Sequence, residues 1–323
     1  MIIKSIATAL SPSGSRARLS ILIFHRVLSQ PDPLFPGEQD VRRFNEVLSW
    51  VSKWFQVLPL DEAVSRLGAG TLPQRAAAIT FDDGYADNAT NALPVLQSHG
   101  MTATFFVATS FLDGGRMWND SIIESVRSCR AATLDLNPVG LGYHSLKSEG
   151  QRRLAIESLL GQIKYLEQTE REKAVDSVCQ FADIALPADL MMSSGQVKHL
   201  RQAGMQIGAH TLSHPILARL DDGSAFTEIN RSKSELESIL GESVTLFAYP
   251  NGKPGQDYQA KHAAMAEQAG FKAAVSTAYG AASMATDRYQ LPRFSPWDTD
   301  KFRYGIRMLL NLRNVPIATG NSH

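Results

Sequence analysis

Two short stretches of this 323-residue sequence carry the residue types that hydrolytic chemistry needs. The first is Ala78-Ile79-Thr80-Phe81-Asp82-Asp83-Gly84-Tyr85. The apolar run from Ala76 to Phe81 reads as a buried strand, and it ends on two adjacent carboxylates and a glycine that can turn the chain sharply. A buried strand that ends on two like charges needs something to offset their repulsion. A bound cation would do so, leaving one carboxylate as ligand and the other as base. Taken alone, Asp-Asp-Gly also reads as an ordinary turn. The second stretch is Gly208-Ala209-His210-Thr211-Leu212-Ser213-His214-Pro215. Histidines four apart share one face of a helix, but Pro215 disfavours helical geometry at His214, so a tight loop is also open.

Taken together the two stretches say more. Both follow short strands, and in an α/β barrel the functional groups gather at the C-terminal ends of the strands. Two neutral imidazoles and one carboxylate make a three-ligand site with an open position, and a divalent metal there lowers the pKa of its water to about 7. The spare carboxylate can take the proton. Zinc is the first expectation, with nickel, cobalt and iron also suited to such ligands.

The elements that must position these groups alternate along the chain. Strands are expected at Ser20 to Phe24, Phe55 to Leu58, Ala76 to Phe81, Ala103 to Val107, Met205 to Ala209, Val244 to Ala248 and Ala273 to Ser276. Helical spacing fills most of the intervals, with Asp40 as N-cap of the helix that carries Val41, Phe44, Val47, Leu48 and Val51. No Gly-x-Gly-x-x-Gly follows a strand, which argues against a dinucleotide-binding sheet. The fold class is therefore α/β, a distorted (β/α) barrel of seven to eight strands. Residues 1–19 form an N-terminal extension, and residues 20–323 the barrel. A mostly helical insertion at about 111–192 would wall a cleft.

Composition sets limits. The sequence has 32 basic and 32 acidic side chains, so it is not a general nucleic-acid binder. Cys129 and Cys179 make no Cys-x-x-Cys pair and read as buried thiols. The apolar core of residues 5–10 is shorter than a secretion signal needs, and no run spans a membrane, so the expected location is the cytoplasm. Ile2, Ile3, Ile6 and Leu10 have the spacing of a short amphipathic helix. Such a helix more often packs on the body of a protein than on a membrane, which leaves weak membrane-surface association open.

Thr80-Phe81-Asp82-Asp83-Gly84-Tyr85 followed by His210-Thr-Leu-Ser-His214 resembles the NodB-homology polysaccharide deacetylases, carbohydrate esterase family four. The resemblance runs from about Leu22 to Trp297. It implies that Asp82 is the general base and that Asp83, His210 and His214 hold the metal. It also implies an N-acetylated saccharide as substrate and acetate as product. The third motif of that family is Arg-x-Pro-Tyr. Here Ala248-Tyr249-Pro250-Asn251 stands in its place, without the arginine. The main-chain N–H of Asn251 remains an oxyanion donor, because a backbone group does not depend on the side chain. Arg293, in Leu291-Pro292-Arg293-Phe294, could reach back to Asp82; an ordinary surface arginine is the alternative. Tyr249, Trp118 and Trp297 could stack on sugar rings, or belong to the core or the cleft wall. Phe247-Ala-Tyr-Pro-Asn-Gly further resembles the subgroup that acts on poly-N-acetylglucosamine.

Hydrolysis of an amide needs an acid for the leaving amine, and an imidazole near its own pKa of about 6.5 suits the task. His25 ends the first strand, and in a barrel the first and last strands are neighbours. Its position resembles the rearranged order of the poly-N-acetylglucosamine deacetylases; a core histidine is the alternative. Three other readings compete: a hydrolase of small amides on the same scaffold, a non-catalytic saccharide-binding relative, and a two-histidine, one-carboxylate iron oxygenase.

Overall fold

The computed structural model, which describes residues 2–295 and 297–315, alternates strands and helices through most of its length. Helix α1 (Ile2–Leu10) leads to β1 (Leu19–Phe24), α2 (Val41–Trp54), β2 (Gln56–Val57), α3 (Leu60–Gly68), β3 (Ala76–Phe81), α4 (Leu93–Ser98) and β4 (Thr104–Val107). An excursion follows, made of α5 (Trp118–Ser128), β5 (Thr133–Leu136), β6 (Gly142–Ser145), α6 (Glu149–Ile163) and α7 (Gln168–Ala182). The alternation resumes with α8 (Ser194–Gln202), β7 (Gln206–Ala209), α9 (Asp222–Leu240), β8 (Leu246–Ala248), α10 (Ala260–Gln268), β9 (Ala273–Val275) and α11 (Lys301–Arg313).

All seven strands outside the excursion form one parallel sheet in the order β1-β3-β4-β7-β8-β9, with β2 added beside β3. The sheet curls into a distorted (β/α) barrel. Residues 291–294 bridge its two ends, with Leu291 paired to Val275 and Phe294 to Leu22, both parallel. Strands β1 and β3 are buried on both faces, as a parallel sheet clothed in helices requires.

The period of two sorts their side chains. Leu19 and Ile21 of β1, Ala76 and Ala78 of β3 and Phe106 of β4 cluster on one side with Leu246, Val275 and Leu291. Leu22, Phe24, Ala77, Ile79, Phe81 and Phe105 join the larger core under the helices. Phe81 stacks on Phe105 at 4.8 Å and on Phe24 at 5.5 Å, so the three strand ends that precede the site are locked together.

Helix boundaries follow their capping residues. Asp40 caps α2 by accepting from Arg43 N at 2.6 Å, and Ser193 and Gln196 form a reciprocal capping box at α8. The excursion has a core of its own, in which Ile122, Val126, Leu134, Ile156, Leu159 and Val178 meet. It is not wholly helical. Strands β5 and β6 make an antiparallel ribbon that the sequence pattern leaves hidden, because only Leu134 and Leu136 alternate inward.

Candidate active site

The two aspartates after β3 diverge, and the backbone explains why. Ala76, Ala78 and Thr80 share one face of β3, and the same alternation carries Asp82 onto that face. There Arg293 meets it: Nη1 and Nη2 donate to Oδ1 and Oδ2 at 2.6 Å each. Arg293 also donates from Nε to Ser276 O at 2.9 Å and is 2% exposed. Asp83 departs from the strand with φ +77, and Gly84 with φ +89. A Cβ on Gly84 would stand 3.0 Å from the Val107 side chain, so both the angle and the space call for glycine there. This turn aims the second carboxylate at both His210 and His214, while the first comes within 3.9 Å of His210 Nε2 alone.

His210 and His214 lie in a tight loop after β7, not on a helix. Thr211 and His214 both have left-handed backbone, at φ +64 and +55. The loop is held from several directions. Glu228 of α9 accepts from Leu212 N and Ser213 N at 2.9 Å each and from Ser213 Oγ at 2.6 Å. Ser110 N donates to Leu212 O at 3.0 Å, and His214 N donates to Thr211 Oγ1 at 3.1 Å. His210 Nδ1 lies 2.8 Å from Ala248 O; a carbonyl can only accept, so Nδ1 carries the hydrogen. That leaves Nε2 aimed at Asp83.

Nε2 of each histidine is 3.4 Å from Asp83 Oδ1, and the three potential ligand atoms lie within 4.8 Å of one another. The donor set fits a divalent ion, because a carbonyl partner orients His210 as such ligands are usually oriented. The electrostatics agree. Burial opposes ionisation of Asp83, but the hydrogen bond to His210 and the charge of His214 outweigh it and hold the carboxyl well below its usual range. Burial lowers the His214 imidazole to about 4, so it is neutral at neutral pH. Burial likewise opposes charge on His210, but Asp82 and Asp83 outweigh it and raise its affinity for a proton. Asp82, despite its burial, is held low by Arg293.

His25 follows β1 directly, and the side chains of Asn88 and Asp87 hold the backbone at and just after it. Asn88 donates to His25 O at 2.8 Å, and Asp87 accepts from Val27 N at 3.0 Å and from Arg26 Nε at 2.8 Å. Asn88 begins a short π-helical turn, Asn88–Ala92, where an α-helix would be expected to run on into α4; such turns are frequent at functional sites. The His25 ring is exposed and lines a cleft of about 300 Å³ together with Asp83, Tyr85, Asp120 and Arg127. It shares this cleft with Asp83, so it stands on the metal-ligand side of the barrel.

The other candidates separate. Asn251 has left-handed backbone, φ +58, and among the described residues nothing accepts from its N–H. Tyr249 is core rather than a sugar platform. It is fully buried, stacks on Tyr258 at 3.9 Å and donates to Tyr289 O at 2.9 Å. Trp118 starts α5 and lines a second cleft with Phe111, Arg171 and Ser213, and Arg171 lies 5.7 Å over its ring. Trp297 is 68% exposed.

Sequence reasoning gave no role to Asp120, which α5 presents to the cleft beside Asp83. It is buried, accepts from Tyr85 Oη at 3.2 Å through one oxygen, and among the described residues has no partner for the other. Nor did it single out Glu228 or Asn88, whose contacts join distant parts of the chain and leave no local pattern to read.

The sequence profile described as polysaccharide deacetylase matches residues 69–274, which hold both aspartates and both histidines. YxkH of Bacillus subtilis (strain 168), which bears the name of a polysaccharide deacetylase, is 24% identical over 279 residues, 86% of this chain and 71% of the relative. The fold is similar to that of the Streptococcus pyogenes deacetylase PplD, solved with acetate, at TM-score 0.60 and 19% identity, covering 92% of this chain and 98% of that one. It is also similar to IcaB from Ammonifex degensii, at TM-score 0.57 and 17% identity, covering 93% and 98%. A profile that covers most of the barrel, and contains the two strand ends that converge on one point, decides the matter: the chain belongs to the polysaccharide deacetylase family.

Proposed function

We propose that the chain is a metal-dependent hydrolase that removes N-acetyl groups from an N-acetylated polysaccharide or its saccharide precursor, releasing acetate. The observation that carries this reading is the convergence of Asp83, His210 and His214 beside a buried Asp82–Arg293 pair. A divalent ion held by those three residues would supply Lewis-acid polarisation of the acyl oxygen and acidify a water.

The residues of the chain do the rest. Asp82 takes a proton from the attacking water; Arg293 occupies one lone pair on each oxygen and fixes the carboxylate plane, leaving further lone pairs free. The unpaired N–H of Asn251 supports an oxyanion. His25, at the mouth of the cleft, gives a proton to the leaving amine. The non-catalytic reading drew its force from Ala248 standing where the family has arginine. Arg293 holding Asp82 from another strand end supports catalysis instead.

Acetate release from a panel of N-acetylated and O-acetylated saccharides, with and without a chelator, tests this. Turnover of the N-acetylated members that a chelator abolishes and a divalent ion restores is expected. Turnover indifferent to chelation, or confined to O-acetyl esters, overturns it.

A further inference from the structure

Helices α1 and α11 lie side by side on the outside of the barrel and run in the same direction. Both end at the start of β1: Ser11 Oγ bonds to Arg18 O at 3.0 Å, the Arg18 guanidinium donates to Leu312 O, and Asn311 Nδ2 donates to Ser20 Oγ at 3.1 Å. They touch at Gly305, where an added Cβ would stand 3.0 Å from the Ile3 side chain. Their inner faces, Ile3 and Ala7 on one and Tyr304, Met308, Leu309 and Leu312 on the other, belong to the main core.

The outer faces are apolar where a soluble surface would be polar. Ile2 is 72% and Phe302 63% exposed, and Ile6, Ile306 and Leu310 are exposed as well. Phe302, Ile306 and Leu310 are four apart and share one face of α11; Ile2 and Ile6 do the same on α1. Phe302 is three residues before Gly305 and Ile6 three after Ile3, so both stripes flank the seam and form one patch. The charges carried by the two helices have one sign, and the acidic residues nearest them, Asp298 and the N-cap Asp300, stand at the start of α11. Neither helix contains an acidic residue, while Lys4, Lys301, Arg303, Arg307 and Arg313 are all exposed. Asp298 pairs with Arg307, and among the described residues the other four have no acidic partner.

We infer that this two-helix face docks on an anionic phospholipid surface, with the five apolar side chains entering the headgroup boundary and the basic residues meeting lipid phosphates. An apolar stripe bordered mainly by cations is what an interfacial helix needs, and a predominantly basic rim would repel a second copy of the same face. No helix among the described residues is long and apolar enough to cross a membrane.

The test is co-sedimentation of the full chain with vesicles of equal parts phosphatidylglycerol and phosphatidylcholine, against vesicles of phosphatidylcholine alone. Wild-type binding should be at least about tenfold tighter on the anionic vesicles and should weaken with salt. Ile306→Asp/Leu310→Asp should lower it at least about tenfold, and Arg303→Glu/Arg313→Glu should remove most of the salt dependence. The comparison of wild type on two lipids needs no variant and stands even if a double variant folds poorly. Failure of the wild type to sediment with anionic vesicles, or equal binding to both compositions, overturns the proposal. So does a dimer seen by light scattering that Ile306→Asp/Leu310→Asp dissociates while vesicle binding is absent.

Discussion

Arg293 and Asp82 are 211 residues apart in the chain and form two parallel hydrogen bonds of 2.6 Å in the closed interior of the barrel. Both side chains are almost fully buried. A bidentate pair of this kind fixes orientation as well as charge, and lysine cannot reproduce it. Residues 291–294, which deliver the arginine, are also those that bridge the sheet's ends. Closing the barrel and orienting the proposed base are thus one structural event.

Arg293→Ala should therefore act on stability and on catalysis together. Leaving Asp82 buried without its partner should cost about 3–5 kcal/mol in denaturant unfolding. Arg293→Lys should fold better but lose the fixed carboxylate plane. Arg293 holds the Asp82 carboxyl below its usual range, so replacing the arginine raises that pKa and moves the acidic limb of the pH–rate profile to higher pH. A profile that kept its acidic limb in Arg293→Ala would separate this pair from the reaction.

The metal ligands and the proposed base should part company under substitution. His210→Ala, His214→Ala and Asp83→Ala should lose bound metal and activity together, read by elemental analysis. Asp82→Asn should keep the metal and lower turnover by about 10²–10⁴-fold. The divergence of the two aspartates predicts this asymmetry, since only Asp83 Oδ1 faces both imidazoles at 3.4 Å. Metal loss in Asp82→Asn with retention in Asp83→Ala would exchange the two roles.

His25→Ala should fold and bind metal as wild type does, because the ring is exposed and its backbone is held by Asn88 whatever the side chain. Turnover should fall by about 10²-fold or more, with the basic limb of the pH–rate profile altered, since that limb would report loss of the acid's proton. An unchanged basic limb would assign the proton to another group.

The strand ends that meet at the site were legible because each is a short apolar run closed by polar residues of marked type. The divergence of Asp82 and Asp83 was legible in half: alternation along β3 aims Asp82, but the left-handed turn at Asp83 is visible only as a following glycine. Whether Arg293 reached Asp82 or lay on the surface could not be decided from spacing, because its strand-like segment is too short to show a period. Tyr249 was ambiguous for a related reason. An aromatic residue at a strand end looks the same whether it faces a ligand or, as here, Tyr258. Glu228 and Asn88 act across long sequence separations, and a chain read without partners cannot reveal them.

Asp120 lies within the excursion, where no motif pointed to it, and its surroundings give a prediction about stability. Burial raises its carboxyl to about 7; Arg26 opposes the rise, and the negative charge of Asp83 adds to it. One oxygen accepts from Tyr85, and among the described residues the other has no partner. The folded-state pKa is raised above that of the unfolded chain, so between about pH 4 and 7 the folded form holds a proton that the unfolded form has released. Stability should accordingly fall as pH rises through that window, and below it the group should contribute nothing. Asp120→Asn keeps an acceptor for Tyr85 and cannot ionise. In chelator-treated protein, the variant should therefore be more stable than wild type at pH 8, by on the order of 3 kcal/mol or less, and should lose that advantage near pH 4. Parallel pH profiles of denaturant unfolding for the two proteins would mean that Asp120 is ionised at low pH in the fold, in which case a positive group, Arg26 first among them, must hold it.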